Sequence, residues 1–171
     1  MKDVASIAAV TTALIAAGCS TLSAATLHEP DAVRAPAGQV MAHELLASGV
    51  QLYECVPGKA GGYEWKFRGP EAALMDKGGA PKGRHYGGPT WESTDGSMVV
   101  AEVRASAPAP EAIPLLLLSA KSTKGHGTFS KVRSIQRLGT AGGRAPEYAC
   151  GQNDMGRVAR VPYTATYRFY E

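Results

Sequence analysis

Polar and apolar positions alternate along this chain in short runs, separated by breaks rich in glycine and proline; this is the period of half-buried strands. Val50-Gln51-Leu52-Tyr53-Glu54-Cys55 alternates, and Tyr63-Glu64-Trp65-Lys66-Phe67 does so with three aromatics on one face. Pro57 to Gly62 between them has turn composition, so the two runs predict a hairpin. Pro70-Glu71-Ala72-Ala73-Leu74-Met75 predicts one short helix with proline in its first turn, ending before Gly78-Gly79. Ile113 to Leu118 is an unbroken apolar run, expected as a strand covered on both faces. After a turn at Lys124-Gly125-His126-Gly127, Thr128 to Thr140 predicts a long strand centred on Val132 to Leu138. In the last segment Tyr163, Ala165, Tyr167 and Phe169 alternate with Thr164, Thr166, Arg168 and Tyr170, while Pro162 excludes a central ladder position at that end.

A second hairpin constrains its own register. Thr90 to Ser93 leads through Thr94-Asp95-Gly96 into Ser97 to Arg104, where Val99, Ala101 and Val103 share a face. A two-residue Asp95-Gly96 loop would pair Glu92 with Val99 and turn that carboxylate to the core. A three-residue loop with Gly96 left-handed at a bulge pairs Trp91 with Val99 instead. One residue of slip exchanges the faces, and burying an unpaired carboxylate costs several kcal/mol. The bulged turn is therefore expected, with Trp91 inside and Glu92 outside. In all, six or seven strands with little helix and no βαβ rhythm predict an all-β, mainly antiparallel fold. The expected architecture is a single-domain β-sandwich or flattened barrel with one or two short helices.

Composition narrows the partners. The 171 residues suit one domain, and 20 glycines with 11 prolines favour turns and short elements. The net charge of +3 is spread along the chain, and the densest basic group is Lys77, Lys82 and Arg84 with His85. That is no basic stripe with interleaved aromatics, so a nucleic-acid partner is not expected.

The amino terminus reads as an address. Val4 to Gly18 is an apolar run following Lys2, of a length that suits a signal peptide better than a membrane span. Ala16-Ala17-Gly18-Cys19 is similar to a bacterial lipobox, with residues 1–18 removed and Cys19 lipidated. Cleavage after Ser23-Ala24-Ala25 is the alternative, and a buried amphipathic helix is the structural one. Residues 19–39, with Pro30, Pro36 and Gly38 and no apolar period, read as a flexible tether to a β domain over 40–171. Membrane contact is then expected through the lipid anchor only, on the periplasmic side or cell surface, or not at all for a soluble exported form. Setting Cys19 aside leaves Cys55 and Cys150, which an oxidising compartment is expected to join.

Several ordered segments resemble one family. They are Gly49 to Cys55, His85-Tyr86-Gly87-Gly88-Pro89-Thr90-Trp91-Glu92, Asp95-Gly96-Ser97, Ile113-Pro114 with its leucines, Ser134 to Arg137, Thr140 to Gly143 with Ala145-Pro146, and Val161 to Tyr167. From about residue 40 to the end the chain is similar to an exported bacterial and fungal family, the domain of unknown function numbered 3455. Leu115 stands where that family usually has tryptophan. The resemblance implies a secreted domain and supplies no activity. Some fungal members carry a malate dehydrogenase label, for which the chain has no GxGxxG between a strand and a helix.

Candidate chemistry concentrates between residues 85 and 95. His85, Glu92 and Asp95 lie there beside Tyr86 and Trp91, and paired carboxylates beside aromatics can hydrolyse glycosides. Asp95-Gly96 is also a turn signal, and Glu92 is also an ordinary solvated strand residue. His85 and His126 lack metal-ligand spacing, and no GxSxG elbow accompanies Ser97. No metal and no cofactor are expected. His85-Tyr86-Gly87-Gly88-Pro89 reads as a shaped loop on a rigid scaffold, where function concentrates. The leading expectation is a binding module for a small molecule, glycan or envelope protein, using His85, Tyr86, Trp91, Glu92 and Asp95. The alternative is a hydrolase using Glu92 or His85.

Overall fold

A computed structural model describes residues 27–171. The signal peptide, the Cys19 lipidation site and the cleavage site after Ala25 lie outside the described residues.

Eight strands form the fold: β1 (Met41–Pro57), β2 (Tyr63–Met75), β3 (Pro81–Tyr86), β4 (Thr90–Ser93), β5 (Met98–Ala107), β6 (Leu115–Lys124), β7 (Ser134–Gly142) and β8 (Val158–Tyr170). Each pairs antiparallel with the next, and β8 closes on β1, from Met41 opposite Tyr170 to Glu54 opposite Val158. The all-β expectation holds, and the architecture is a closed barrel. Closure removes every free strand edge. The helical content among the described residues is two 3-10 turns, Asp31–Val33 and Gln152–Asp154.

The short helix expected at Pro70 to Met75 is instead the second half of β2. Its backbone is paired on both sides, with β1 and with β3, and Leu74 packs in the core. Two ladders of sheet bonds outweigh a weak local preference for helix. The pairing skips at Arg68, since Leu52 faces Gly69 while Tyr53 faces Phe67, and this bulge bends β2 at Phe67 to Pro70. At Gly49 β1 leaves no room for a side chain against β2: a Cβ there would lie 2.1 Å from the Glu71 carbonyl oxygen.

The β4–β5 turn takes the three-residue form. Trp91 pairs with Val99, Gly96 has φ 82°, and the Ser93 N–H donates to the Ser97 carbonyl. Trp91 is buried and Glu92 lies on the outer face beside Arg84.

The barrel interior is filled at one end only. Connections β2–β3, β4–β5 and β6–β7 meet at that end. Thr128 to Arg133 is a loop rather than the start of β7, and it turns Phe129 and Val132 into the barrel. Phe129 packs on Phe169, ring centroids 4.6 Å apart, among Leu45, Leu74 and Val99. The loop replaces the start of the expected strand because Asp95 holds Thr128 and Ser97 Oγ holds the Phe129 N–H, tying this stretch across the barrel end instead of into the sheet.

Leu115 to Leu118 is covered on both faces, as its composition predicts. Leu116 and Leu118 face the interior, while Leu115 packs outside with Leu138, Ala107 and Val33. The segment 27–39, expected as a tether, lies on this outer surface in its Leu27 to Val33 part. Val33 is fully buried there, its carbonyl accepts from the Gln136 side chain, and Glu29 meets Gln136 and Arg168. Leu115 thus belongs to the outer layer.

Cys55, near the end of β1, is joined to Cys150 in the β7–β8 connection, with Cα atoms 6.1 Å apart. The same connection is held by the Tyr53 hydroxyl donating to Gly143 O and by the Trp65 indole donating to Tyr148 O.

Candidate functional site

The unfilled half of the barrel is a cavity of about 330 Å³. Eight strands enclose just enough space for packed side chains or for one small ligand, and here the two uses divide the length of the barrel. The cavity opens between the bulge of β2 at Phe67 to Pro70, the β3–β4 turn at Gly88-Pro89 and the β5–β6 connection at Ile113-Pro114. Phe67 and Val103 at the mouth are about half exposed, 50% and 53%.

Its depth is aromatic. His85 on β3 and Trp91 on β4 are cross-strand partners, and their rings stack 4.2 Å apart at 10°. Tyr167 on β8 meets both edge-on, 5.0 Å from His85 and 5.3 Å from Trp91. The Thr90 carbonyl can only accept, so the 2.8 Å contact with His85 Nδ1 places the ring proton there. Nε2 is left with its lone pair. Burial, opposed by the Thr90 bond and reinforced by Arg137, pushes the His85 pKa down to about 3. The imidazole is therefore neutral across the physiological range.

Polar groups converge on this apolar space, two of them without protein partners. Trp91 Nε1 and Gln51 Nε2 are buried and make no hydrogen bond, while the buried Tyr167 hydroxyl lies beside the Arg137 side chain and the hydroxyl of Tyr163, which stands behind the cavity wall. Burial raises the pKa values of both tyrosines, which keeps them protonated. Each buried group left without a partner costs about 1–3 kcal/mol, and such groups are rare in native proteins. Arg137 also lines the cavity, from β7, where it pairs with Leu116 on one side and Tyr167 on the other. Its Nε donates to Pro114 O at 3.0 Å. Among the described residues no carboxylate lies within ion-pair distance of it. Its charge reaches Tyr53, His85, Tyr163 and Tyr167, lowering the pKa of each against the effect of burial for the tyrosines.

The five residues singled out in the sequence fall in three places. His85 and Trp91 line the cavity. Tyr86 and Glu92 lie on the outer face, where the Tyr86 hydroxyl donates to Glu92 and Arg84 pairs with the same carboxylate at 2.8 Å. Arg84 first, then Tyr86, hold the Glu92 carboxyl below its ordinary range. Asp95 is at the filled end, accepting from the backbone and hydroxyl of Ser97 and of Thr128. Those bonds hold its carboxyl well below the usual range, Ser97 contributing most. Ser97 Oγ in turn accepts from the Phe129 N–H, so Asp95 ties the β4–β5 turn to the loop that carries the plug. Among the described residues no group of three or more His, Cys, Asp or Glu side chains is placed to hold a metal ion.

Asp95→Ala is expected to lower Tm by about 5 °C at neutral pH, through the lost ties between these two loops. The folded-state pKa lies below the ordinary 3.8, so the stabilisation is complete above that value and is lost as pH falls through the folded one. Thermal unfolding of both proteins from pH 7 to pH 2 should show the gap narrow on the acid side. A gap that stays constant would remove the carboxylate from the explanation.

Gln51, Tyr53, Arg137 and Tyr167 were not among the residues expected to form a site. The sequence carries one signal for them: Ile135 and Arg137 stand two apart in a strand, so an inward Ile135 takes a charge inward with it.

The sequence profile of the family described as "Protein of unknown function (DUF3455)" matches residues 36–82 and 78–171. The chain belongs to this family. The matched residues contain the whole barrel and every cavity-lining side chain named above. No curated protein and no solved structure matches the chain. The closed antiparallel barrel of this DUF3455 member has no strand–helix crossover of the kind that binds dinucleotides.

Proposed function

We propose that this protein is an exported binding protein that holds one small organic molecule inside the barrel. The observation that carries the reading is the convergence of two buried, unpartnered donors, Trp91 Nε1 and Gln51 Nε2, on a single apolar cavity. Small-molecule sites have this character: apolar walls and a few oriented polar groups. The Cys55–Cys150 bond supports an oxidising compartment. Among the described residues no helix is long and apolar enough to cross a membrane, and Cys19 is the expected point of attachment to the envelope.

The hydrolase alternative has less support. Glu92 stands outside the cavity in a pair with Arg84. His85, with its pKa near 3, is a poor general base at neutral pH, where an effective base titrates close to the working pH.

The chain has two tryptophans, Trp65 and Trp91, so Trp65→Phe leaves Trp91 as a reporter inside the barrel. Titration of that variant with 4-phenylbutanoate and with 4-phenylbutan-1-ol should change Trp91 emission saturably for at least one probe. Leu116→Phe, which narrows the cavity, should weaken that binding about tenfold or more. A flat response to both probes would count against the reading, as would binding indifferent to Leu116→Phe.

A further inference from the structure

We infer that the cavity selects an organic anion: a molecule with an apolar body and one carboxylate, the carboxylate seated on Arg137. This rests on the binding function proposed above and names its ligand class.

Charge is the first argument. Arg137 faces the cavity half-buried, with its Nε committed to Pro114 O and no acidic side chain within ion-pair distance among the described residues. Its terminal nitrogens carry four further N–H groups in a plane; the Tyr167 hydroxyl lies beside them as one acceptor, and the others keep a geometry that takes both oxygens of a carboxylate. A cation removed from bulk water without a counter-charge is costly, and a ligand that brings the counter-charge gains what the protein alone forgoes. The other guanidinium at the cavity, Arg68, is already paired with Glu54 at 2.7 Å, so Arg137 alone is left to balance one negative charge. A dianion such as a phosphate monoester would enter with half its charge uncompensated.

The second argument is the balance of donors and acceptors. Trp91 Nε1–H and the Arg137 terminal groups can only donate, and the unpartnered Gln51 nitrogen is also a donor. Against them stand two fixed acceptors, His85 Nε2 and the Gln51 side-chain oxygen, together with hydroxyls that can act either way. The cavity is rich in donors and suits a ligand end made of acceptor oxygens.

The third argument is shape. Around these groups the walls are Trp91, Leu116, Leu118, Ile113 and Phe67, which offer apolar contact only, apart from the indole N–H. A buried cavity of about 150 Å³ holds benzene. On that scale 330 Å³ accommodates roughly a dozen non-hydrogen atoms, the size of a short-chain aryl acid.

4-Phenylbutanoate and 4-phenylbutan-1-ol share a body and differ in the charged end, which makes them the test pair. Calorimetric titration of the full exported protein should give the acid an affinity at least about tenfold above the alcohol. Arg137→Gln should weaken the acid by about tenfold or more and leave the alcohol within about twofold. Arg137→Lys should recover part of the acid affinity, because the charge remains while the planar fork is lost. Arg137→Gln removes an uncompensated cation, so its Tm should not fall, whereas a merely structural arginine would take stability with it. Equal affinity for acid and alcohol in the unsubstituted protein would overturn the anion inference and leave the small-molecule reading standing. So would acid binding that ignores Arg137→Gln. Binding of neither probe would overturn both.

Discussion

Replacing Cys55 and Cys150 together by serine should lower stability by about 2–5 kcal/mol, among the larger single losses open to this barrel. The bond spans 95 residues of chain, so it holds together two points that the unfolded chain would otherwise let drift far apart. The chain-entropy account puts a loop of this length near 4–5 kcal/mol and treats it as an upper figure. For a domain of this size that corresponds to a fall in Tm of about 10 °C. Because the effect acts through the unfolded state, the dependence on denaturant should steepen as well, since the uncrosslinked chain exposes more surface. The cavity should respond too. The β7–β8 connection would then be held by non-covalent ties alone: the Tyr53–Gly143 and Trp65–Tyr148 hydrogen bonds, the backbone bonds of Cys55 with Gly156 and Arg157, and the Arg144–Glu111 pair. Urea unfolding of both proteins, with and without reductant, checks this. A midpoint that is the same in the double variant and unmoved by reductant in the parent would show that the bond does not carry stability.

Phe129→Ala should cost about 3–5 kcal/mol, the range for deleting a fully buried aromatic ring. Phe129 has no exposed surface and closes the filled end against Phe169, within a core that includes Trp91. Its loop is fixed by the Ser97 Oγ bond to its N–H and by the Asp95 clamp on Thr128, which limits how far the site can collapse around a missing ring. A cavity that cannot collapse retains its full cost. Phe129→Leu fills most of the space and should cost less than half as much. Differential scanning calorimetry of the two variants separates them. Similar losses for alanine and leucine would mean that ring volume does not set the stability of this end.

Several features were readable in the sequence because they depend on neighbours a few residues away. The alternation in Tyr163 to Phe169 and in Tyr63 to Phe67 marks β8 and β2, since a strand half-buried on a core repeats every two residues wherever the partner strands come from. The register of β4 on β5 follows from Gly96 and from the cost of burying Glu92, both local quantities. The cysteine pairing followed by counting once export was accepted. The candidate site was half legible for the same reason: His85 and Trp91 flank a tight turn, and alternation puts both on one face.

What lay beyond the sequence depends on contacts between distant segments. Pro70 to Met75 has weak local preference, and only the strands on its two sides decide that it is extended. The loop from Thr128 to Arg133 has strand-like composition, but the open end of the barrel draws Phe129 inward. By itself, then, this sequence determined an all-β chain, the face of Trp91, the Cys55–Cys150 pair and the family. Tertiary structure alone decided that β8 closes on β1, more than a hundred residues away, and that the closed interior brings Arg137, Gln51 and Tyr167 to His85 and Trp91. The physical reason is that closure and bulge positions are set by pairings between remote strands, and each bulge shifts which side chains point inward. Local patterning specifies a strand and its two faces, whereas only the assembled barrel specifies which of those faces encloses a cavity.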